Sequence, residues 1–265
     1  FRLTAFPVRG SSGERIGRGV GVRDVTAERA SERLHATFLN LVSHELRTPL
    51  GAIKGFTSAL RQEDLPLDGA TRRDFLDGIE AGADQLARIV AEILDLSRIE
   101  AGVLTVQREA CSPRDLARAA LADLAPALAA EQRVRLSIAT RVPPLLADPM
   151  LARQALRGLL DNALRYSPPD GDVRLTAQQE GEQVVIRVSD RGPGLPSTEL
   201  GRVFEPFYRS GRAEDGGLGL GLAICRGLVR AQGGDVWAES RPGAGTTFSI
   251  ALPVAPVPLG VGGRP

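Results

Sequence analysis

Apolar side chains between residues 26 and 62 recur every three or four positions along the chain. This spacing places them on one face of an α-helix, in a heptad-like stripe. The pattern predicts a long amphipathic helix from residue 26 to about residue 62. Its stripe consists of Phe38, Val42, Leu46, Pro49, Ile53, Phe56 and Leu60.

A second stripe of the same period follows a loop in which Pro66 and Gly69 interrupt the first helix. It predicts a second helix that runs to about Glu100. Two such helices joined by a short loop form an antiparallel hairpin, which cannot cover both stripes from water by itself. We therefore expect two copies to pair as a four-helix bundle, so the chain is predicted to be a homodimer. The second stripe contains Phe75, Ile79, Leu86, Ile89, Ile93 and Leu96.

After a short hinge at residues 101–103, the pattern changes to a mixture of strands and helices. Ser112 followed by Pro113 is typical of a helix start. The mixture predicts helices packed on a mostly antiparallel mixed sheet, which is an α+β two-layer sandwich. Helices are predicted at 112–132, 148–167 and 219–233, and strands at 104–110, 135–139, 234–240 and 245–253, with a pair of strands within 172–192.

The two ends of the chain have characters of their own. Residues 1–25 contain two short β-like runs around a turn-rich connection and predict a hairpin. Two strands alone are marginal, so they either pack on another chain or end a domain that lies upstream, and we favour the second interpretation. The chain starts at Phe1 without methionine, so we expect a piece of a longer protein. The Pro/Gly-rich residues 254–265 are predicted to be a disordered tail.

Composition limits which kinds of function the chain can have. The chain has 43% hydrophobic and 25% charged residues with a formal net charge of +1, which gives no indication of nucleic-acid binding. Cys111 and Cys225 match no metal-site spacing and are interpreted as reduced thiols of a cytosolic protein. No apolar run approaches the roughly 18 residues of a membrane span. We expect this fragment to be cytoplasmic and free of membrane contact, and leave open whether the full-length protein is attached to a membrane.

The first chemical candidate lies on the first helix, where His44 falls opposite the apolar stripe. Glu45 is adjacent, Thr48 follows one turn later, and Pro49 interrupts the helix hydrogen bonding. An exposed imidazole beside a carboxylate can act as a nucleophile, because neutral imidazole exists near pH 7. The alternative is a surface histidine without function, which would be the favoured interpretation of an isolated histidine.

Two polar residues of the second half are candidates for a binding site. Asn162 lies at the edge of an apolar helix face, where its oxygen could bind Mg²⁺ or its amide could cap the local structure. Arg165 and Tyr166 follow it and suit a phosphate and a ring. Asp190 ends a strand before a glycine turn, where it could accept hydrogen bonds from an amino group or serve the turn itself.

A glycine-rich segment completes the set. Gly217, Gly219 and Gly221 open a predicted helix, so bare backbone N–H groups and the helix dipole could bind phosphates. The segment is neither a P-loop, which needs a Lys-Ser/Thr pair, nor a dinucleotide fingerprint, which needs glycine where Leu222 stands. The preceding stretch "FEPFYRSGRAEDGG" has the composition of a mobile lid.

Taken in order, these segments resemble the sensor histidine kinases of two-component signalling, over roughly residues 26–253. "FLNLVSHELRTPL" resembles the phosphoacceptor box of that family. "LLDNALRYSP", "DRGPGLP", "FEPFYR", "GLGLGLAI" and "GAGTTF" resemble its nucleotide-site boxes in the same order and spacing. "DVTAER" is more weakly similar to the exit of a PAS sensor domain.

The resemblance implies an ATP-dependent autokinase that phosphorylates His44 and passes the phosphoryl group to an aspartate in the receiver domain of a response regulator. Glu45 would be the acid/base partner of His44, and Thr48 would serve dephosphorylation of the regulator. ATP and Mg²⁺ are the implied cofactors, and Asn162 is the implied metal ligand. The implied ATP-pocket residues are Asn162, Arg165, Tyr166, Asp190, Gly192, Gly194, Gly217, Gly219, Leu220, Gly221 and Thr246.

The implied fold is a helical hairpin, dimerising as a four-helix bundle, followed by an α+β sandwich ATP-binding domain of the Bergerat (GHKL) type. The domains would be 1–25 (end of a PAS-like sensor), 26–100 (signalling helix and phosphotransfer hairpin), 101–253 (ATP binding) and 254–265 (tail). Gly158 departs from the family, where many members carry a second asparagine, so Mg²⁺ would keep an extra water or bind less tightly. Arg191 replaces a commoner asparagine.

Two other function classes share parts of this pattern. ATPases of the gyrase, mismatch-repair and chaperone type have the same ATP-binding fold and drive a conformational clamp without histidine phosphorylation. They lack a hairpin with "SHELRTP" in front of the domain. A non-enzymatic dimeric scaffold with a degenerate site is the other alternative, and ATP titration separates it from the kinase.

Overall fold

The computed structural model describes residues 1–9, 11, 13–62, 67–124, 133–210 and 217–256, without the side chains of 26–37. These residues form two compact units, Phe1–Ala83 and Asp84–Pro265. The second helix of the hairpin runs through both units. In chain order the elements are β1 (Arg2–Arg9), β2 (Arg15–Arg23), α1 (Thr26–Leu60), α2 (Gly69–Glu100), β3 (Glu109–Cys111), α3 (Pro113–Ala122), β4 (Val134–Ile138), β5 (Leu145–Ala147), α4 (Pro149–Tyr166), β6 (Val173–Glu180), β7 (Gln183–Ser189), α5 (Gly221–Ala231), β8 (Asp235–Ser240) and β9 (Thr246–Pro253).

Strands β1 and β2 form the antiparallel hairpin that the sequence predicts. On one face, the ring of Phe6 lies over Gly19, where a side chain would collide with it. On the other face, Leu3 pairs with Val22 and both remain largely exposed. The hairpin is therefore a sheet with an uncovered apolar face, and its assignment to a PAS-like domain stays a prediction.

Helix α1 is continuous through Pro49, and its described stripe residues are all at least partly buried. Pro49 itself is buried within the first unit. Because proline has no N–H, the carbonyl of Glu45 receives no amide hydrogen bond from position 49. The predicted helix and stripe are confirmed. A proline kink also leads us to expect that the helix can bend at Pro49, and this stays a prediction.

Helix α2 begins at Gly69, after Asp68 accepts a 2.7 Å hydrogen bond from the Thr71 N–H. This bond to an otherwise unpaired amide is a typical N-cap. Hydrogen bonds from the Thr71 side chain and from this N–H lower the pKa of Asp68. The loop residues 63–66, which include Pro66, lie outside the described residues.

The two helices pack closely where α2 carries glycine. The rings of Phe56 and Phe75 lie 5.4 Å apart between centroids. A Cβ at Gly78 would lie 2.4 Å from the Phe56 ring, and one at Gly82 would lie 2.8 Å from Ile53. The glycines thus allow the aromatic and branched side chains of α1 to reach the surface of α2.

Part of the hairpin's apolar surface has no cover within the first unit. Leu39, Leu50 and Leu76 are each at least half exposed. Such exposure of large apolar side chains is what the predicted four-helix pairing of two copies would remove. Among the described residues, no helix combines the length and the apolarity that crossing a membrane requires.

The second unit is the predicted α+β sandwich. Its main sheet has the strand order β4-β6-β7-β9-β8, with β4 parallel to β6 and the other pairs antiparallel. Along β6, the buried Val173, Leu175 and Ala177 alternate with the exposed Arg174 and Gln178. The buried side of the sheet therefore faces helices α3, α4 and α5, and the core lies between the two layers.

Three boundaries differ from the sequence prediction. Of the predicted strand 104–110, only residues 109 and 110 are strand, and the strand continues to Cys111. It is short because its partner β5, which the pattern did not reveal, has three residues. The predicted helix 112–132 starts as expected at Ser112 but ends at Ala122, shortly before Pro126, and residues 125–132 lie outside the described residues. Proline has no N–H, and its ring would collide with the carbonyl four residues earlier, which is that of Ala122, so a regular helix cannot continue to Pro126.

The third difference concerns the predicted tail. Val254 forms a β-bridge with Leu145, and Ala255 is buried and donates a 2.8 Å hydrogen bond to the Pro144 carbonyl. The prediction of disorder from residue 254 is thus wrong for these first residues, because they close the edge of the small β3–β5 sheet. Residues 257–265 lie outside the described part of the chain.

The close approach at Gly78 leads to a prediction about hairpin stability. We expect Gly78→Ala to lower the free energy of unfolding by about 1–2 kcal/mol, since the new methyl group must displace the Phe56 ring. Gly51→Ala is the matched control, because Gly51 is exposed with open space around it, and a gain of up to about 1 kcal/mol is expected there. Urea unfolding followed by circular dichroism measures both, and equal gains would contradict the packing argument.

Candidate functional site

His44 lies on the exposed side of α1, as its position opposite the apolar stripe predicts. Its side chain is 75% exposed, whereas that of Glu45 is only 12% exposed. The distance from His44 Nδ1 to Glu45 Oε1 is 3.7 Å. The carboxylate is thus close enough to stabilise a positive imidazolium electrostatically, and the other ring nitrogen remains accessible to a reactant.

Thr48 lies one turn after His44 on the same exposed surface. Its hydroxyl donates a weak 3.4 Å hydrogen bond to the backbone carbonyl of His44. This carbonyl differs from the one that Pro49 leaves without an amide donor, which belongs to Glu45. Thr48 therefore does not replace the missing bond, and its hydroxyl remains beside the histidine.

A cavity of about 220 Å³ opens in the second unit between α4, the start of α5 and the end of β7. Gly192 lies beside the cavity rather than in its lining, against the carboxylate of Asp190. The structure thus brings the second-half candidates together. Those that line the cavity are Asn162, Arg165, Tyr166, Asp190, Gly194, Gly217, Gly219, Leu220, Gly221 and Thr246.

Asp190 is the most buried charged group of this cavity, with 8% exposure. Its Oδ1 accepts hydrogen bonds from the N–H of Gly192 (2.7 Å) and of Thr246 (3.1 Å). Burial raises the pKa of Asp190, and these two bonds partly oppose the shift. Its Oδ2 has no hydrogen-bond partner among the described residues, so this oxygen can accept a bond from a ligand.

At two positions of the cavity wall, neighbouring backbone atoms leave no room for a side chain. Gly194 has φ +67°, and a Cβ there would lie 2.0 Å from the Arg241 carbonyl oxygen. Gly219 has φ +68°, and a Cβ there would lie 2.8 Å from the Tyr208 carbonyl oxygen. Both positions require glycine sterically and conformationally. Gly221 meets nothing within 4 Å, so its expected role in shaping the pocket does not rest on crowding.

Helix α5 points its N-terminus at the cavity. It begins at Gly221, and the buried Leu220 that precedes it supplies no side-chain cap. The first N–H groups of a helix have no partner within the helix, and they carry its positive dipole end. This end of the cavity is therefore suited to a negatively charged group such as phosphate.

The α4 wall combines an amide and an ion pair. Asn162 is half-buried, and its side chain makes no hydrogen bond within the described ranges. The guanidinium of Arg165 lies 3.6 Å from the carboxylate of Asp161, one helical turn before it. Gly158 also lines the cavity, so no side chain fills the space one turn before Asn162. The free amide oxygen of Asn162 is a hard ligand of the kind that Mg²⁺ binds.

Sequence reasoning missed several residues of the cavity. Tyr208 and Arg209 precede the segment 211–216, which lies outside the described residues, so the predicted lid is described only in part. Phe204, from the same stretch, is buried with its ring edge-on to Phe248, 6.1 Å between centroids. The aromatic residues of this stretch thus anchor it to the core. The aromatic residues are visible in the sequence, but the sequence does not show which core residues they contact.

Glu92 of α2 is the most informative of the missed residues. It lines the cavity, and burial raises the pKa of its carboxyl group. Its position follows Ile89 by three residues and precedes Leu96 by four, so it falls on the apolar stripe of α2. A charged side chain on an otherwise apolar stripe was the signal that could have identified it.

Comparison with known proteins places both halves of the chain. The family model of the His Kinase A (phospho-acceptor) domain matches residues 34–102. The model of the histidine kinase-, DNA gyrase B- and HSP90-like ATPases matches residues 147–256. The first contains His44 and the second contains the cavity.

Individual proteins agree with these matches. The chain is 34% identical to the alginate biosynthesis sensor protein KinB of Pseudomonas aeruginosa, over 94% of this chain and 42% of KinB. It is 37% identical to the sensor protein KdpD of Mycobacterium tuberculosis, over 84% of this chain and 26% of KdpD. The structure of full-length ShkA in complex with AMPPNP superposes with a TM-score of 0.61 at 28% identity, covering 84% of this chain and 47% of ShkA. The chain thus spans less than half the length of these proteins.

Proposed function

Because the chain belongs to the sensor histidine kinases, we propose that it phosphorylates its own His44 with ATP and then transfers the phosphoryl group to an aspartate of a response regulator. The observation that carries this proposal is the occurrence, in one chain, of an exposed histidine beside a carboxylate and a cavity with an adenine-type acceptor and a phosphate-type helix N-terminus. Neither part by itself would define a kinase.

The buried end of the cavity suits an adenine ring. Asp190 is fixed by two backbone hydrogen bonds through Oδ1, which leaves Oδ2 to accept one from the exocyclic amino group. Guanine carries a carbonyl oxygen at the corresponding position, which would face this carboxylate without a hydrogen bond. The structure of ShkA contains AMPPNP, an analogue of ATP, which is consistent with this choice for the present chain.

The other end of the cavity suits the phosphates. The N-terminal N–H groups of α5 and the guanidinium of Arg165 would bind phosphate oxygens. Asn162 would hold Mg²⁺ through its amide oxygen, and the ion would neutralise phosphate charge. Tyr166 offers a ring beside the nucleoside, and Gly194, Gly217, Gly219, Leu220, Gly221 and Thr246 form the remaining wall.

The phosphotransfer itself requires little of the protein beyond positioning and charge. A ring nitrogen of His44 would attack the γ-phosphorus with its lone pair, and the bond to the bridging oxygen would break so that ADP leaves with that electron pair. Glu45 would stabilise the imidazolium that forms and accept its proton. The phosphohistidine would then donate its phosphoryl group to a regulator carboxylate.

The remaining parts of the proposal concern partners and place. Two copies would pair through the hairpins, which covers the exposed leucines of α1 and α2. The regulator's receiver domain would approach the exposed surface that carries His44 and Thr48. We propose that this part of the protein works in the cytoplasm, where ATP is available. The hydroxyl of Thr48 would orient a water toward the aspartyl phosphate and so support its hydrolysis.

The assignment of His44 is tested by labelling with radioactive ATP and Mg²⁺. We expect acid-labile phosphate on the wild-type chain and none on His44→Gln, because among the residues whose side chains the structure describes only His44 has an exposed imidazole with an adjacent carboxylate. His35→Gln is the matched control and should keep its label, since His35 is the only other histidine. Undiminished label on His44→Gln would refute the assignment, and ATP hydrolysis without protein phosphate would favour a clamp ATPase.

Substitutions of Asn162 and Asp190 should impair different steps of the reaction. Asn162→Ala is expected to bind ATP only moderately more weakly while phosphotransfer falls by at least about tenfold, because phosphate placement is lost. Asp190→Ala is expected to lose the preference for ATP over GTP, because no acceptor reads the amino group. Binding of both nucleotides by calorimetry, together with the labelling rate, measures this, and Arg191→Ala is the exposed neighbouring control. Equal use of GTP by the wild type would exclude the proposed role of Asp190.

The role of Thr48 is separable from that of His44. Thr48→Ala should leave autophosphorylation nearly unchanged yet slow the loss of phosphate from the regulator at least about tenfold, because water is no longer oriented. Thr48→Ser keeps the hydroxyl and should retain most of the phosphatase rate. If Thr48→Ala loses both activities equally, the residue instead supports the helix around Pro49.

A further inference from the structure

The Glu92 carboxylate is the feature of the cavity that the proposed function leaves unexplained. It comes from α2, a helix of the hairpin, whereas every other charged residue of the lining comes from the ATP-binding part of the chain. In the part of the chain that the structure describes, Glu92 makes no hydrogen bond and no ion pair within 4 Å. A half-buried carboxylate without a close partner is unusual, and here it lies in a cavity suited to anions.

The second half of α2 is held against the two helices that border the cavity. The Gln154 amide of α4 donates a 2.5 Å hydrogen bond to the Asp95 carboxylate. Ile99 lies so close to Gly227 of α5 that a Cβ at this glycine would be 2.5 Å from the isoleucine. These contacts lie on the stretch that follows Glu92, so they fix where its carboxylate points. Both belong to the compact unit Asp84–Pro265.

Charged side chains of both signs lie around Glu92. Asp161 already pairs with Arg165, the cation that phosphates would use, and it lies near enough to Glu92 for the two carboxylates to repel each other. Arg88, Arg157 and Arg165 lie near enough to attract Glu92. A bound triphosphate would compete with Glu92 for this positive charge and would be repelled by it directly.

We infer that Glu92 is an electrostatic gate of the nucleotide cavity, which weakens the binding of phosphate-bearing ligands for as long as α2 is packed on α4 and α5. This inference rests on the proposed function and adds to it a regulatory residue contributed by the hairpin. Movement of α2 away from the contacts at Gln154 and Gly227 would withdraw the negative charge and raise the affinity for ATP. By linkage, ATP would favour the withdrawn position of α2 by the same factor.

The effect of the gate depends on ligand charge. ATP should be disfavoured most, ADP less, and adenosine not at all, since adenosine carries no phosphate. A residue that only supports the fold would weaken all three ligands together. The order of the three ligands is therefore the diagnostic feature.

The first test measures dissociation constants of the full 265-residue chain for ATP, ADP and adenosine by calorimetry, with and without Mg²⁺. Glu92→Gln, which keeps shape and removes charge, should bind ATP roughly three- to tenfold more tightly and adenosine unchanged. Glu80→Gln is the matched control, because Glu80 is an exposed carboxylate of the same helix. Its ATP affinity should equal that of the wild type.

The second test moves the helix instead of removing the charge. Gly227→Leu cannot coexist with Ile99 in the observed position, so it should displace α2 and tighten ATP binding similarly. In the Gly227→Leu variant, the further substitution Glu92→Gln should not change the ATP affinity any more. The two substitutions should thus be coupled in a double-mutant cycle. Additive effects would overturn the inference. An unchanged ATP affinity of Glu92→Gln would overturn it too. An ATP affinity that is weakened only in the presence of Mg²⁺ would also overturn it, because Glu92 would then be a ligand of the metal. Failure of the wild type to bind ATP would instead contradict the proposed function.

Discussion

The nucleotide cavity depends on one buried carboxylate. Through Oδ1, Asp190 holds the N–H groups of Gly192 and Thr246, and so it ties the turn after β7 to the start of β9. A buried charge is tolerated only when hydrogen bonds replace water, and two backbone donors do so here. The same bonds orient Oδ2, which is the atom proposed to read the base. The residue that fixes the wall is thus also the one proposed to select the ligand.

Close backbone approach is the second constraint, and it recurs in both units. In the hairpin, Gly78 lets the Phe56 ring lie on α2, and in the second unit Gly227 lets Ile99 lie on α5. Each of these glycines therefore marks a close contact of α2, with α1 at Gly78 and with α5 at Gly227. At both places the absence of a glycine side chain is what allows the two helices to approach each other closely.

Much of the fold could be predicted from the sequence because apolar residues recur with a clear helical period in the first half of the chain. The two stripes predicted α1 and α2, and the glycines Gly194 and Gly219 of the quoted segments lie in the cavity wall. Short elements escaped, since the three residues of β5 have too little pattern to show a period. Glu92 escaped for a different reason: its place in the cavity lining depends on which surface α2 contacts, and a local sequence pattern does not contain this tertiary contact.

Pro49 gives α1 a mechanical property as well as a sequence signature. The helix continues through it, but the turn that starts at Glu45 has one amide hydrogen bond fewer than any regular turn. Below it, contacts of Ile53 and Phe56 with α2 keep the helix stiff. We therefore expect the flexibility of α1 to be concentrated in this single turn, where a bend would reorient the imidazole of His44 at little elastic cost while the packed part keeps its contacts with α2.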